Sequence, residues 1–278
     1  MGPRLRPARN ATLRALDRMS LLAPVYRAYE RVRAVRASEH WEGAGDLPVP
    51  PARLRVEVAG TPGIEWFLES GRQQAGIIRS AAERNGAPLE TTGQMLDFGC
   101  GCGRVLRHWA GLDGPTIFGS DYNEGLVAWC ATNLPFVTAS VNELAPPLRY
   151  GDGQFGLVYA ISVFTHLPRD LERAWIDELS RIVTPGGLLL LTTHGDSYAD
   201  RLEPGERASY DSGEAVVRWP SVAGSNLCTT FHPESYIRTR FAPGLELLEH
   251  TPDGGTVGSR RQDLVVLRKP APGMAARS

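Results

Sequence analysis

Lysine is almost missing from this chain: Lys269 is the only one among 30 basic residues, and the rest are arginine. That bias reads as the coding preference of a GC-rich genome, not as a binding device. The formal net charge is −1, so the whole molecule makes no electrostatic claim on nucleic acid. No apolar run reaches the roughly 18 residues that a membrane span needs, and no charged-then-apolar leader pattern is visible. Cysteine is scarce too. Cys100, Cys102, Cys130 and Cys228 are the only four, too few for a disulfide framework, and a reducing cytoplasm is the expected compartment. The Cys100-x-Cys102 spacing is tighter than zinc sites use, so no metal is expected. With 42% apolar residues in 278 positions the chain can bury one large domain or two small ones.

The most informative run is Met95-Leu-Asp-Phe-Gly-Cys-Gly-Cys-Gly-Arg104. An apolar stretch ends in Asp97, glycines follow at 99, 101 and 103, and a helical pattern opens with Arg104, Val105, Leu106 and Trp109. A strand, a tight glycine turn and a helix form the cradle of a nucleotide-like ligand. A dinucleotide fingerprint spaces its glycines Gly-x-Gly-x-x-Gly and carries its acid on the next strand. Here the third glycine comes one residue early and an acid precedes the first. That acid repels a pyrophosphate and holds a ligand bearing an ammonium group. The pattern resembles the first motif of the class I S-adenosylmethionine-dependent methyltransferases.

That resemblance covers about residues 90 to 270. It implies an α/β, Rossmann-like seven-stranded sheet of order 3-2-1-4-5-7-6, strand 7 antiparallel, with helices on both faces and an N-terminal helical arm. It implies S-adenosylmethionine as cofactor, held by Asp97, Gly99, Cys100, Gly101 and Gly103. A second strand, Pro115 to Asp121, ends in the acid expected to accept both ribose hydroxyls, with Tyr122 packing on the adenine. Asn123 or Asp121 also caps the helix Glu124 to Asn133. A third strand from Phe136 brings Ser140, Val141 and Asn142 to the adenine edge, and the residues do not choose between the two polar side chains. A fourth strand, Phe155 to Ile161, contributes Ala160 and leads into Ser162-Val-Phe-Thr-His-Leu167. A helix from Arg169 to Val183 turns Leu171, Trp175, Leu179 and Ile182 to the sheet. Pro185-Gly-Gly187 stops it before a buried strand from Leu188 to Thr193. Leu245 to His250 and Asp263 to Leu267 are the last two strands.

Three segments flank or interrupt this body. Residues 1–40 form a basic amphipathic helical arm, with nine arginines against Asp17 and Glu30 up to residue 36, and Pro24 as a break. It packs on the domain or on a partner subunit in a homodimer, covers the substrate as a lid, or lies on acidic lipid. Residues 41–90 are a linker carrying Pro48, Pro50 and Pro51, then a cap helix over 63 to 85, whose Gly71 and Arg72 the resemblance brings toward the methionine end. Within the domain 91–270, residues 195–230 are a substrate-side insertion with Tyr198, Tyr210 and Trp219 as lining candidates.

A hydroxyl acceptor benefits from a general base. His166 and His194 follow the fourth and fifth strands, at the sheet edge where open α/β folds bind ligands, and are the catalytic candidates. Asp196 could orient His194, and His232 reads better as a helix-start residue. The expected activity is methylation of a small molecule or sugar, at oxygen before nitrogen. The rivals are methylation of RNA or protein gripped by the arm, and a non-catalytic partner that keeps the fold. A nicotinamide oxidoreductase is disfavoured by the glycine spacing.

Overall fold

The fold is taken from a computed structural model that describes residues 6–35 and 47–271. The outer parts of the arm (1–5 and 36–40), the linker stretch 41–46 and the tail after Ala271 lie outside the described residues.

The strands β1 (Gln94–Phe98), β2 (Thr116–Asp121), β3 (Val137–Val141), β4 (Phe155–Ala160) and β5 (Val183–Thr193) pair in parallel. Two further strands complete the sheet, β8 (Glu246–Thr251) and β9 (Asp263–Arg268), giving the order β3-β2-β1-β4-β5-β9-β8 with β9 antiparallel to both neighbours. Counted within this sheet, the topology is the expected one. Alternation of side chains across the strands makes two cores. On one face Leu96, Phe98, Val158 and Leu189 meet Trp175, Ile176, Leu179 and Ile182 of α6 (Arg169–Ile182). On the other Met95, Leu157, Leu188 and Val266 meet Ala75, Ile78, Ala81 and Ala82 of α4 (Ile64–Arg84). Helices therefore cover both faces, as a buried parallel sheet requires.

Several local expectations change. No regular helix follows the glycine turn; the chain makes turns and then a short 3₁₀ helix at Leu106–Trp109. Three positive-φ glycines in five residues leave no room to establish an α-helical first turn. Pro185-Gly-Gly187 lies inside β5 as an irregular entry, not outside it. The proline-rich linker carries a helix, α3 (Ala52–Ala59), because Pro51 sits at its N-cap, where a missing N–H costs nothing. The insertion is ordered: α7 (Pro204–Asp211) and the β6 (Val216–Arg218)–β7 (Thr229–Phe231) ribbon build it, and Phe231 of β7 bridges His194 at the end of β5.

The arm forms two helices, α1 (Arg6–Arg18) and α2 (Leu22–Val35). The break falls at Ser20, with φ 57°, and Pro24 sits in the first turn of α2. Leu22 is buried against Trp219, Val222 and Cys228 of the insertion. Asn10 and Arg14 donate to Glu203 at 3.0 and 2.9 Å. No helix of the described residues is long and apolar enough to cross a membrane.

Candidate active site

The carboxyl ends of β1, β2 and β4 open into a cleft of about 620 Å³. Open α/β sheets bind ligands at this edge because the crossover there leaves a crevice. The cleft floor is the loop after β1. Gly99 and Gly101 have φ of 76° and 55°; a Cβ on Gly99 would lie 2.3 Å from Val163 Cγ2, and one on Gly101 2.6 Å from Val58 Cγ2. Only glycine fits a backbone that is both left-handed and crowded. Cys100 lines the cleft with them, its thiol pushed well up, first by its hydrogen bond with Cys130 and then by burial, so it stays protonated. Gly103 does not line the cleft. A side chain there would meet Leu134, the C-cap of α5 (Glu124–Asn133), at 2.5 Å, so its reason is packing.

Asp121 closes one end of the cleft. Its Oδ2 accepts from Gly101 N–H at 2.9 Å and its Oδ1 from Asn123 N–H at 2.9 Å, which fixes the carboxylate plane. Asn123 caps α5, accepting from Gly125 and Leu126 N–H. Tyr122 also lines the cleft and donates its hydroxyl hydrogen to Gly224 O at 3.2 Å, tying the insertion over this end. Of the two polar candidates at the end of β3, Asn142, just past the strand, reaches the cleft and Ser140 does not. Ser140 Oγ is paired with Tyr150 Oη at 2.8 Å, whereas Asn142 Oδ1 accepts from Ser120 Oγ. Val141 borders a separate shallow hollow, and Ala160 is fully buried in the core one residue before Ile161, which does line the cleft.

The opposite end is charged. Asp97 is buried beside the Arg104 guanidinium and Tyr159; burial pushes its carboxyl up to about 8 against the pull of Arg104. Burial in turn lowers Arg104 to about 10. Arg104 donates to Ser70 Oγ at 3.3 Å and lies 5.9 Å from the Trp66 ring, over which Arg260 stacks at 4.4 Å. Gln74 of α4 also faces this end. It is 0% exposed, yet neither its Oε1 nor its Nε2 has a hydrogen-bond partner. An orphaned buried amide is costly, and one lining a cleft is poised for a ligand. Gly71 and Arg72, expected here, serve otherwise. Gly71 allows α4 to touch the Arg104 carbonyl, where a Cβ would lie at 2.0 Å, and Arg72 pairs with Glu69 in solvent.

The two histidine candidates separate. His166 lines the cleft. Its Nδ1 lies 2.6 Å from Cys228 O. A carbonyl only accepts, so Nδ1 carries the hydrogen and Nε2 keeps its lone pair. Burial lowers this imidazole to about 4, with Arg260 adding to the effect, so it is neutral at pH 7. His194 is buried behind the cleft, with Nδ1 3.2 Å from Thr230 O and its ring 4.5 Å from that of Tyr198. The β6–β7 ribbon covers the strand end that would have exposed it. Asp196 does not orient it; that carboxylate accepts from Tyr210 Oη at 2.8 Å. His232 is fully buried against Glu172, Nε2 to Oε1 2.6 Å. Tyr198, Tyr210 and Trp219 lie outside the cleft, and the insertion lines it instead through Ser221 to Asn226.

Further walls come from Tyr26, Arg27, Glu30 and Arg31 of α2, a position that the lid alternative for the arm allowed, and from Glu57 and Val58 of α3 and Arg260 and Gln262 before β9. Gln74 left a trace in the sequence, since an amide interrupts the apolar face running from Phe67 through Gly71 to Ile78.

Residues 70–250 match the family described as a methyltransferase domain. Among solved structures, the glycopeptide N-methyltransferase MtfA complexed with S-adenosyl-L-methionine is similar at 18% identity, over 71% of this chain and 94% of that one, with a TM-score of 0.51. A Pyrococcus horikoshii protein is similar at 15% identity, over 71% and 90%, with a TM-score of 0.53. A complex of the Haloferax volcanii Trm112 methyltransferase activator with a putative methyltransferase matches at 15% identity, over 76% and 99%, with a TM-score of 0.50.

Proposed function

The chain belongs to the methyltransferase-domain family, and on that premise we propose that it methylates a hydroxyl of a small molecule or sugar with S-adenosylmethionine. The observation that carries the cofactor reading is the pairing of two acids around one glycine loop, Asp97 at the ammonium-holding end and Asp121 at the diol-holding end. The cradle fits the cofactor: no Cβ is tolerated at Gly99 or Gly101, and Gln74 offers an unpaired buried amide. Asp97 would take the amino group, Arg104 and Gln74 the carboxylate, Asp121 the ribose hydroxyls, and Asn142 with Tyr122 the base.

When bound, the cofactor supplies a methyl group made electrophilic by its sulfonium. The protein then supplies mainly alignment. His166 is the base. An acceptor hydroxyl that takes the methyl group, leaving S-adenosylhomocysteine, would give its proton to His166 Nε2. The fixed Nδ1 hydrogen keeps that nitrogen available. A cleft walled by Tyr26, Glu30, Trp66 and Gln262 suits a small acceptor better than a folded macromolecule.

The test is incubation with methyl-labelled S-adenosylmethionine and a panel of phenols, alcohols and glycosides, alongside RNA, protein and amine-bearing glycopeptide. Label on the oxygen of a small acceptor supports the reading. Label found only on RNA, on protein or on nitrogen sinks it.

A further inference from the structure

The outward face of α2 is apolar, and among the described residues none covers it. Nine large hydrophobic residues are exposed among the described residues, and six belong to this short region: Met19, Leu21, Val25, Tyr29, Val32 and Val35. From Leu21 onward they recur every three or four positions, which sets them in one stripe along the helix. Val35 is 86% exposed and Met19 63%. The inward face is spent differently: Leu22 enters the insertion core, and Tyr26 and Glu30 wall the cleft. Both acids of the arm face inward as well, Asp17 accepting from Ser221 Oγ and Glu30 half-buried. The outer face is thus free of carboxylate: the exposed Arg18 precedes it and Arg33 lies against the exposed Tyr29, donating to its Oη at 3.2 Å, while Arg27 and Arg31 line the cleft.

Charge is divided between arm and body. Residues 1–36 carry nine arginines against two acids, +7, in a chain of net charge −1, which leaves the body at −8. Such a molecule orients with its arm toward an anionic surface and its body away. An apolar stripe flanked by arginine is the form that lies in a bilayer interface, its hydrophobic side chains below the headgroups and its cations on the phosphates. A second copy fits poorly, because a two-fold contact would press two +7 arms together. RNA would leave the apolar stripe unused.

We propose that α2 docks this protein onto an anionic phospholipid surface through the stripe Leu21, Val25, Tyr29 and Val32 and its flanking arginines. The docked helix keeps its other face on the cleft, so one cleft wall is held at the membrane.

The experiment is co-sedimentation of the full chain with phosphatidylcholine vesicles, with and without phosphatidylglycerol. At least tenfold more binding to the anionic vesicles is expected, weakening as salt rises. The exposed double variant Val25→Ser/Val32→Ser and the charge variant Arg18→Gln/Arg33→Gln should each lower it at least fivefold. Circular dichroism confirms folding of both. No preference for anionic vesicles, or binding unchanged in Val25→Ser/Val32→Ser, overturns the proposal. So does a dimer in analytical ultracentrifugation that this same variant dissolves, since the stripe would then be a contact between copies.

Discussion

Gly101 N–H donates to Asp121 Oδ2 across 2.9 Å, so the glycine loop after β1 and the acid ending β2 set each other's position. One carboxylate organises the cradle and faces the cleft.

Replacing it should therefore separate two effects. Asp121→Ala removes both acceptors and should weaken S-adenosylhomocysteine binding at least tenfold, about 1.4 kcal/mol. Asp121→Asn keeps one acceptor oxygen and should lose less. Titration calorimetry on both variants, with circular dichroism to confirm folding, checks the order. Equal affinity in wild type and Asp121→Ala would remove this residue from the site.

The glycine loop allows a controlled comparison. Gly86 has φ 71° with open space around it, whereas Gly99 has φ 76° and a would-be Cβ 2.3 Å from Val163. Gly86→Ala should cost only the left-handed backbone, roughly 1–2 kcal/mol. Gly99→Ala adds overpacking of about 1–3 kcal/mol. Its thermal midpoint should fall further, and Val163→Ala in the same chain should restore the difference but not the whole loss. Identical midpoints for the two glycine variants would show that the crowding relaxes without cost.

These residues were readable because the chemistry of their turn is local. The run Met95 to Arg104 names its own strand, acid and glycines, and the apolar Leu188 to Leu191 can only be a buried strand. Legibility ends where a contact depends on a distant segment. His194 stands at a strand end as His166 does, yet Phe231, 37 residues later, pairs beside it and covers it. Ser140 and Asn142 stand two residues apart at the end of β3, and what separates them is that Tyr150 engages the Ser140 hydroxyl. The walls from α2 and α3 carried no local mark, since Tyr26, Glu30 and Glu57 resemble ordinary helix-surface residues until the helices dock.

His166 should reveal itself in kcat. If its Nε2 takes the hydroxyl proton, His166→Gln should lower kcat for a hydroxyl acceptor by about 10²- to 10⁴-fold and leave S-adenosylhomocysteine affinity within about twofold. An amine acceptor, which needs no such base, should lose far less. Because burial holds His166 near 4, kcat at saturating cofactor should stay flat from pH 8 to about 5 as far as this group decides it. Stability follows the same shift. His166 and His108, both lowered to about 4, resist protonation when folded, while the unfolded chain takes protons near 6.5. Their contribution to stability is therefore lost as pH falls from about 6.5 toward 4. Denaturant midpoints at pH 7 and 5 measure it.

Asp97 carries the opposite shift and makes the sharpest prediction. Its carboxyl is raised to about 8 by burial, so the free protein holds it protonated at neutral pH. In the unliganded protein that proton favours the fold most at low pH, and the contribution disappears as pH rises through about 8. An ammonium group binds only the carboxylate. Binding of S-adenosylhomocysteine below pH 8 must then expel this proton, and affinity should rise by up to tenfold per pH unit between 6 and 8. Calorimetry at each pH in two buffers of different ionisation enthalpy should show close to one proton released. Asp97→Asn should abolish both the slope and the release, and bind weakly throughout. If Arg104 instead keeps Asp97 ionised, wild-type affinity will be level from pH 6 to 8 with no proton released. The weak binding of Asp97→Asn would still identify the residue that holds the ammonium group.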